Sequence, residues 1–256
     1  SLGKDQSGTY DIYKYTFKPE YPEAKHNNKH LPKMVLVSGI HGLERWSIYA
    51  LAQLMKNIYT DTTGNEILEY FKYNVEFVII PLANPWGYIQ STRWNSRGVN
   101  INRNFDYNWV SSGTAAFTKD YEGTAAFSEV ETQYIKKVLY ENLDAIGVID
   151  CHTHDTTTWK GCYWHNLTRF SSSYEDMISI SKNNIAAMTR KMKSEYNLDF
   201  DGFIGYCDYG NTASLTGYSG NVCDLHAITG EATDKLPSES ASGSALTNRT
   251  NVEFYA

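Results

Sequence analysis

The chain has 256 residues, of which 41% are hydrophobic and 20% charged, with a formal net charge of −6. A chain of this length buries roughly 70–75% of its unfolded surface without staples, and the composition excludes an intrinsically disordered polymer. The acidic balance, with no Lys/Arg cluster, argues against a nucleic-acid partner, and no apolar run reaches the roughly 18 residues of a membrane span.

The first residue is not Met and no signal peptide is present, so the chain reads as an excised domain or mature fragment. Residues 1–9 (SLGKDQSGT) read as a linker or remnant, and residues 10–256 as one catalytic domain without repeats. Tyr10–Phe17 alternates and predicts an edge strand. Lys33–Ser38 is a short apolar run closed by a tight turn at Gly39–Gly42, and Glu44–Tyr59 carries apolar residues at helical spacing. Val75–Leu82 predicts a buried strand, followed by a long loop from Asn84 to about Ala126. Ser128–Asn142 predicts a helix opened by a Ser-x-x-Glu capping box at Ser128 and Glu131. Ala145–Cys151 predicts a buried strand running into His152, and Tyr174–Glu195 a helix. His226–Thr229 predicts a short strand ending near Glu231, and Ser240–Tyr255 a final helix. The four cysteines form no CxxC pair and read as small buried apolar residues. Strands alternating with helices predict an α/β fold, a mostly parallel mixed sheet with helices on both faces. Sites in such sheets form beyond the carboxyl ends of the strands.

Chemically distinctive residues gather at those ends. His41 and Glu44 stand three apart at a strand-to-helix turn, and His152 closes another strand. Two imidazoles and a carboxylate suit zinc and leave a fourth position for water. An HxxE pair alone is a weak signal, since helices carry such pairs by chance. Further residues join it in order: Asn84-Pro85-Trp86-Gly87, then Thr92-Arg93-Trp94-Asn95, then Gly98-Val99-Asn100-Ile101-Asn102-Arg103-Asn104-Phe105, then a late Glu.

This ordered set, over about residues 33–233, resembles the zinc metallocarboxypeptidase family (carboxypeptidase A-like), in its short bacterial type. The resemblance implies one Zn²⁺ per chain, held by His41, Glu44 and His152. It also implies that Asn102 and Arg103 grip a substrate's terminal carboxylate and that Arg93 polarises the scissile carbonyl. Glu231 would be the general base that activates a metal-bound water. Glu253 and Glu239 fit that role worse, lying in the expected last helix and a loop. Tyr206 matches the tyrosine that caps the bound residue, with Tyr209 and Tyr218 as rivals, and His154 reads as lining the cleft.

Two departures stand out: NPWG replaces the family's NPDG, and Asn100 stands where many members have Asp, which could alter support of Asn102 and Arg103. The expected substrate is a peptide with a free C-terminal carboxylate, including cell-wall peptides, which points to a secreted or cell-envelope setting. The segment Asn211–Gly217, read as the specificity pocket, is small and polar. A zinc deacylase or amidase acting on small acylated amino acids is the alternative within the fold. A catalytically silent binding module is the alternative outside catalysis.

Overall fold

The computed structural model describes residues 1–19, 30–60, 62, 64–154 and 213–233, the backbone of 161–166 and 201–206, and isolated positions between 183 and 197. Strands β1 (Gly3–Lys4) and β2 (Asp11–Ile12) pair antiparallel as a separate ribbon. The main sheet is built from β3 (Tyr15–Phe17), β4 (Lys33–Ser38), β5 (Glu76–Ile80), β6 (Gly147–His154), β7 (Gly161–Asn166), β8 (Asp201–Tyr206) and β9 (Ala227–Thr233). Its seven strands run in the order β3-β5-β4-β6-β9-β7-β8. The central pairs β5–β4, β4–β6 and β6–β9 are parallel, as is β7–β8, while β3–β5 and β7–β9 are antiparallel. The expected mixed, mostly parallel sheet is the one found.

The period of two along each strand sorts the core into two layers. Leu36, Phe77, Ile79 and Cys151 face α1 (Arg45–Thr60) and α2 (Glu66–Asn74), joined by Leu51, Leu54, Ile58 and Leu68. Val35, Val37, Val78, Ile80 and Val148 face the other way, packing with Ile101, Phe105 and the inner side of α4 (Val130–Tyr140) and α5 (Leu215–Asn221). Both faces are therefore covered by helices, as parallel strands require.

Several elements differ from the sequence expectation. Tyr10–Phe17 is two strands, because Ile12 turns into the core beside α4 while Tyr15 and Thr16 stay on an exposed edge. Residues 1–9, read as a linker, are tied to the rest of the chain by the β1–β2 pairing and by Gln6, whose backbone N–H donates to Glu131 Oε1 at 3.0 Å. The capping box of α4 is not formed: Glu129 is the cap residue without a side-chain cap bond, and Ser128 Oγ donates to Glu129 Oε1. Gln6 takes over, accepting from Val130 N at 3.0 Å. Helix α2, capped by Asn65, was not expected. Neither was α3 (Pro85–Gln90), a short helix inside the expected long loop. The helices expected over Tyr174–Glu195 and Ser240–Tyr255 lie mostly or wholly outside the described residues. Cys151 and Cys223 are buried and free.

Candidate metal centre

The centre is built where three parallel strands end together. In register, Ser38 of β4 pairs with Cys151 of β6, and His152 pairs with Glu231 of β9. Along β6 the layer that begins with the apolar Val148 continues as Asp150, His152 and His154, so an apolar stripe becomes polar as it reaches the sheet edge.

After β4 the chain turns at Gly39, whose φ of +65° favours glycine, and passes Gly42, where a Cβ would collide with the backbone of Gly87 and Tyr88. That close approach seats the His41 turn on α3. Asn84 locks the same junction: its side chain accepts from Gly87 N and donates to Ile40 O and Trp94 O. Glu44 stands immediately before the first residue of α1, where the positive end of the helix favours a carboxylate.

His41 Nδ1 lies 2.6 Å from Glu44 Oε1, and His152 Nδ1 lies 2.8 Å from Glu44 Oε2. One ligand atom from each of these three buried residues falls within 4.8 Å of the others. The outer nitrogens are committed elsewhere. His41 Nε2 donates to Asn100 Oδ1 at 3.1 Å, and His152 Nε2 faces Asp150 Oδ1 at 2.8 Å. The bond to Asn100 assigns the Nε2–H tautomer to His41, whose Nδ1 lone pair then points toward Glu44, while His152 Nε2 has both the Asp150 carboxylate and the Asn102 amide N–H beside it. Arg93 Nη1 donates into the group, at 3.1 Å from His41 Nδ1 and 3.4 Å from Glu44 Oε1. Such a converging set of acceptors fits a cation, and the His/Glu/His composition fits zinc.

The local charges act in opposite directions on the two rings. Burial, opposed by Glu44, pushes His41 down to about 4, which keeps its ring neutral and able to ligate. Burial works against ionised Glu44, but the two imidazoles outweigh it and hold the carboxyl well below its usual range. His152 is raised: burial opposes its charge, and the carboxylates of Asp150 and Glu44 prevail. Glu231 is raised to about 8 by burial, with His152 pulling down and Glu44 and Asp150 pushing up. Its Oε2 is buried with no hydrogen-bond partner among the described residues. A buried carboxyl oxygen without a protein partner is uncommon and calls for a partner such as a water, an ion or a substrate group.

Of the other residues singled out, Asn102 is brought to the centre. Its Nδ2 donates to Asp150 Oδ2 at 3.0 Å and lies 3.2 Å from His152 Nε2, while its Oδ1 accepts from Leu215 N at 2.8 Å. Arg103 follows on the 3-10 turn Ile101–Arg103, its Nε 3.2 Å from Asp120 Oδ1. Arg97 turns away to Glu129, 3.7 Å distant. His154 is half-buried at the end of β6. Tyr206 ends β8, paired in register with Asn166, and its side chain lies outside the described residues, as does Tyr209. Tyr218 is no capping residue: it is a core side chain, edge-on to Phe127, with its hydroxyl on Tyr140.

Sequence reasoning missed Asp150, although a D-x-H pair at a strand end puts both side chains on one face. It also underrated Asn100, which contacts His41 as well as accepting from Asn102 N.

A family profile described as "Zinc carboxypeptidase" matches residues 11–234. A carboxypeptidase B from Helicoverpa zea is 34% identical over 131 residues, covering 44% of this chain and 30% of that protein. The chain spans 30% to 42% of the length of the first curated relatives it matches. Among solved structures, carboxypeptidase A from Helicoverpa armigera superposes with a TM-score of 0.72 at 17% identity, covering 99% of this chain and 64% of that one. The murein-tripeptide amidase from Escherichia coli O157 superposes with a TM-score of 0.54 at 16% identity, covering 100% and 98%. At these identities the structural likeness concerns the fold.

Proposed function

We propose that this chain, which belongs to the zinc carboxypeptidase family, hydrolyses the C-terminal amide bond of a peptide ending in a free carboxylate. The observation that carries the reading is Glu231: a carboxyl with one buried, unpartnered oxygen, in register with His152 beside the His/Glu/His group.

His41 Nδ1, Glu44 and His152 Nδ1 would hold the zinc, with Asn100 accepting from His41 Nε2. Zinc bound there supplies Lewis-acid polarisation of a water and of the scissile carbonyl. Glu231 takes the water's proton on its Oε2 and returns it to the leaving amine nitrogen. A cation held by His41, Glu44 and His152 would lower Glu231 from about 8 toward the range a base needs at neutral pH. Arg93, already aimed at Glu44, donates from its guanidinium to the carbonyl oxygen as negative charge develops there.

Arg103 grips the terminal carboxylate, with one further Nδ2 proton of Asn102 to assist. Asp120, its present partner, is 54% exposed, and an exposed pair of this kind contributes about 0–1 kcal/mol. A substrate carboxylate can displace it. Tyr206 and His154 remain proposed substrate contacts in this reading. The amidase named for murein tripeptide shares the fold and nearly the whole length of the chain, so a cell-wall stem peptide belongs among the test substrates.

The test is product identity. Zinc-loaded protein is offered peptides with varied C-terminal residues, a cell-wall stem peptide and acylated amino acids. Release of one C-terminal amino acid, abolished by a chelator and restored by zinc, is the expected result. Cleavage of acylated amino acids with peptides untouched would make it a deacylase. Zinc bound at one per chain with no turnover of any substrate would make it a binding module.

A further inference from the structure

Arg103 is already engaged on two sides. Its Nη1 donates to the neighbouring carbonyl, Asn102 O, at 2.9 Å, which leaves the side-on fork of Nε and Nη2 whole. Such a fork meets a carboxylate with two parallel bonds. Asp120 stands on it, its Oδ1 3.2 Å from Nε. One residue fastens the chain on both sides of Asp120: Asn100 donates from Nδ2 to Lys119 O at 2.9 Å and from its backbone N–H to Tyr121 O at 2.8 Å. Two further bonds hold the run leading in, from Phe117 N to Gly98 O and from Trp94 Nε1 to Thr118 O. The backbone at Asp120 therefore stays beside Arg103 even when the side chain lets go. Arg93 lies in the same field: besides burial and Glu44, it is acted on by Arg103, Glu231 and Asp120.

We propose that Asp120 is a specificity-determining residue of this cleft, an internal carboxylate that selects against peptides ending in Asp or Glu. The proposal rests on the reading of Arg103 as the seat of the terminal carboxylate. Binding is then an exchange, in which the substrate's carboxylate takes the fork and the Asp120 side chain, 54% exposed, turns to solvent. Its charge does not go far, because both flanking carbonyls are held by Asn100. The substrate's terminal side chain branches from the same Cα as the carboxylate on Arg103. Any charge it carries falls within the roughly 8 Å over which charges interact at physiological salt. With an acidic C-terminal residue, the side chain, the terminal carboxylate and Asp120 crowd one guanidinium. Arg93 does not offset the excess, since it already faces Glu44 at 3.4 Å. A neutral or cationic terminal side chain brings no such excess.

The test uses isosteric pairs, so that size and shape cancel and charge remains. The KM and kcat of zinc-loaded protein are measured for two peptides that differ only in ending with Gln or Glu. Dissociation constants of free glutamine and free glutamate, measured by calorimetry, give a readout that needs no turnover. Wild type and Asp120→Asn are compared at about 0.05 M and about 1 M salt, with circular dichroism as the folding control. Asp120→Asn should improve Glu relative to Gln by about two- to fivefold at low salt, in KM rather than kcat and equally in the dissociation constants. High salt should bring the two proteins together, which a packing role would not do. An unchanged Glu/Gln ratio would overturn the proposal, as would a shift that salt leaves intact. A loss of affinity for both ligands alike would make Asp120 a support of Arg103 and overturn it too. Equal cleavage of a free-acid peptide and its C-terminal amide by the wild type would instead overturn the seating of the carboxylate on Arg103.

Discussion

Glu231 combines a strand-end position and a buried unpartnered oxygen with a pKa raised to about 8 by burial and by the carboxylates of Glu44 and Asp150, so its use as a base at neutral pH depends on a cation at the neighbouring ligand group. Glu231→Gln keeps the size and removes the proton acceptor. Turnover should fall by about 10²-fold or more, and zinc content should stay at the wild-type value, measured on the same preparation by metal analysis. Unchanged turnover would take the base role away from Glu231. Residues of this kind were legible in the sequence because their chemistry is scarce. His41 with Glu44 at a strand-to-helix turn, His152 at a strand end and a late Glu form a set that chance does not readily assemble. Asp150 and Asn100 were harder to see, since their roles depend on which side chain lies across a gap of about fifty residues in sequence, and no local spacing encodes that.

At the scale of elements, the loop between α3 and α4 is organised by buried asparagines. Asn95, Asn100, Asn102 and Asn104 are buried, and their amides stand in for the backbone ladder the loop lacks. Asn104 donates to Glu122 O, Ala125 O and Ser128 Oγ and accepts from Glu129 N. Asn95 Nδ2 donates to Glu129 Oε2 at 2.7 Å and reaches Glu131 Oε2 at 3.3 Å. Burial raises Glu131 from 4.5 to about 7, against hydrogen bonds from Gln6 and Asn95. Between those two values the folded state keeps a proton that the unfolded chain has released, so stability falls as pH rises through the window and levels off above it. Glu131→Gln should flatten that slope, and urea unfolding of both proteins from about pH 5 to about pH 8 would show it. An unchanged slope would assign the pH dependence elsewhere. The element pattern was legible where burial is strong, as in β4, β5, β6 and α1. Helix α2 escaped because only Leu68 of its residues is buried, with Ile67 and Tyr70 exposed, so its apolar pattern is faint. Helix α3 had its Asn-Pro start in plain view, yet six residues are too few for periodicity to show. The Ser128/Glu131 box misled because the partners of Glu131 come from Gln6 and Asn95, far away in sequence.

Across the whole molecule, one topological fact places the chemistry: β4, β6 and β9 are parallel neighbours, so their carboxyl ends deliver Glu44, His152 and Glu231 to one edge. The loop bearing Arg103 closes over that edge on the α4/α5 side, anchored through Asn102 and Phe105. Among the described residues no helix is long and apolar enough to cross a membrane. The central claim is that this edge reads a free C-terminal carboxylate next to a hydrolytic centre. A bidentate Arg–carboxylate contact contributes about 1.5–3 kcal/mol, or roughly ten- to a hundredfold in kcat/KM. The most direct measurement is kcat/KM for one good peptide substrate as the free acid and as its C-terminal amide, in the wild type and in Arg103→Ala, with circular dichroism as the folding control. The wild type should favour the free acid by at least about tenfold, and Arg103→Ala should be slow on both and nearly indifferent between them. Equal cleavage of the two peptides by the wild type would contradict the account.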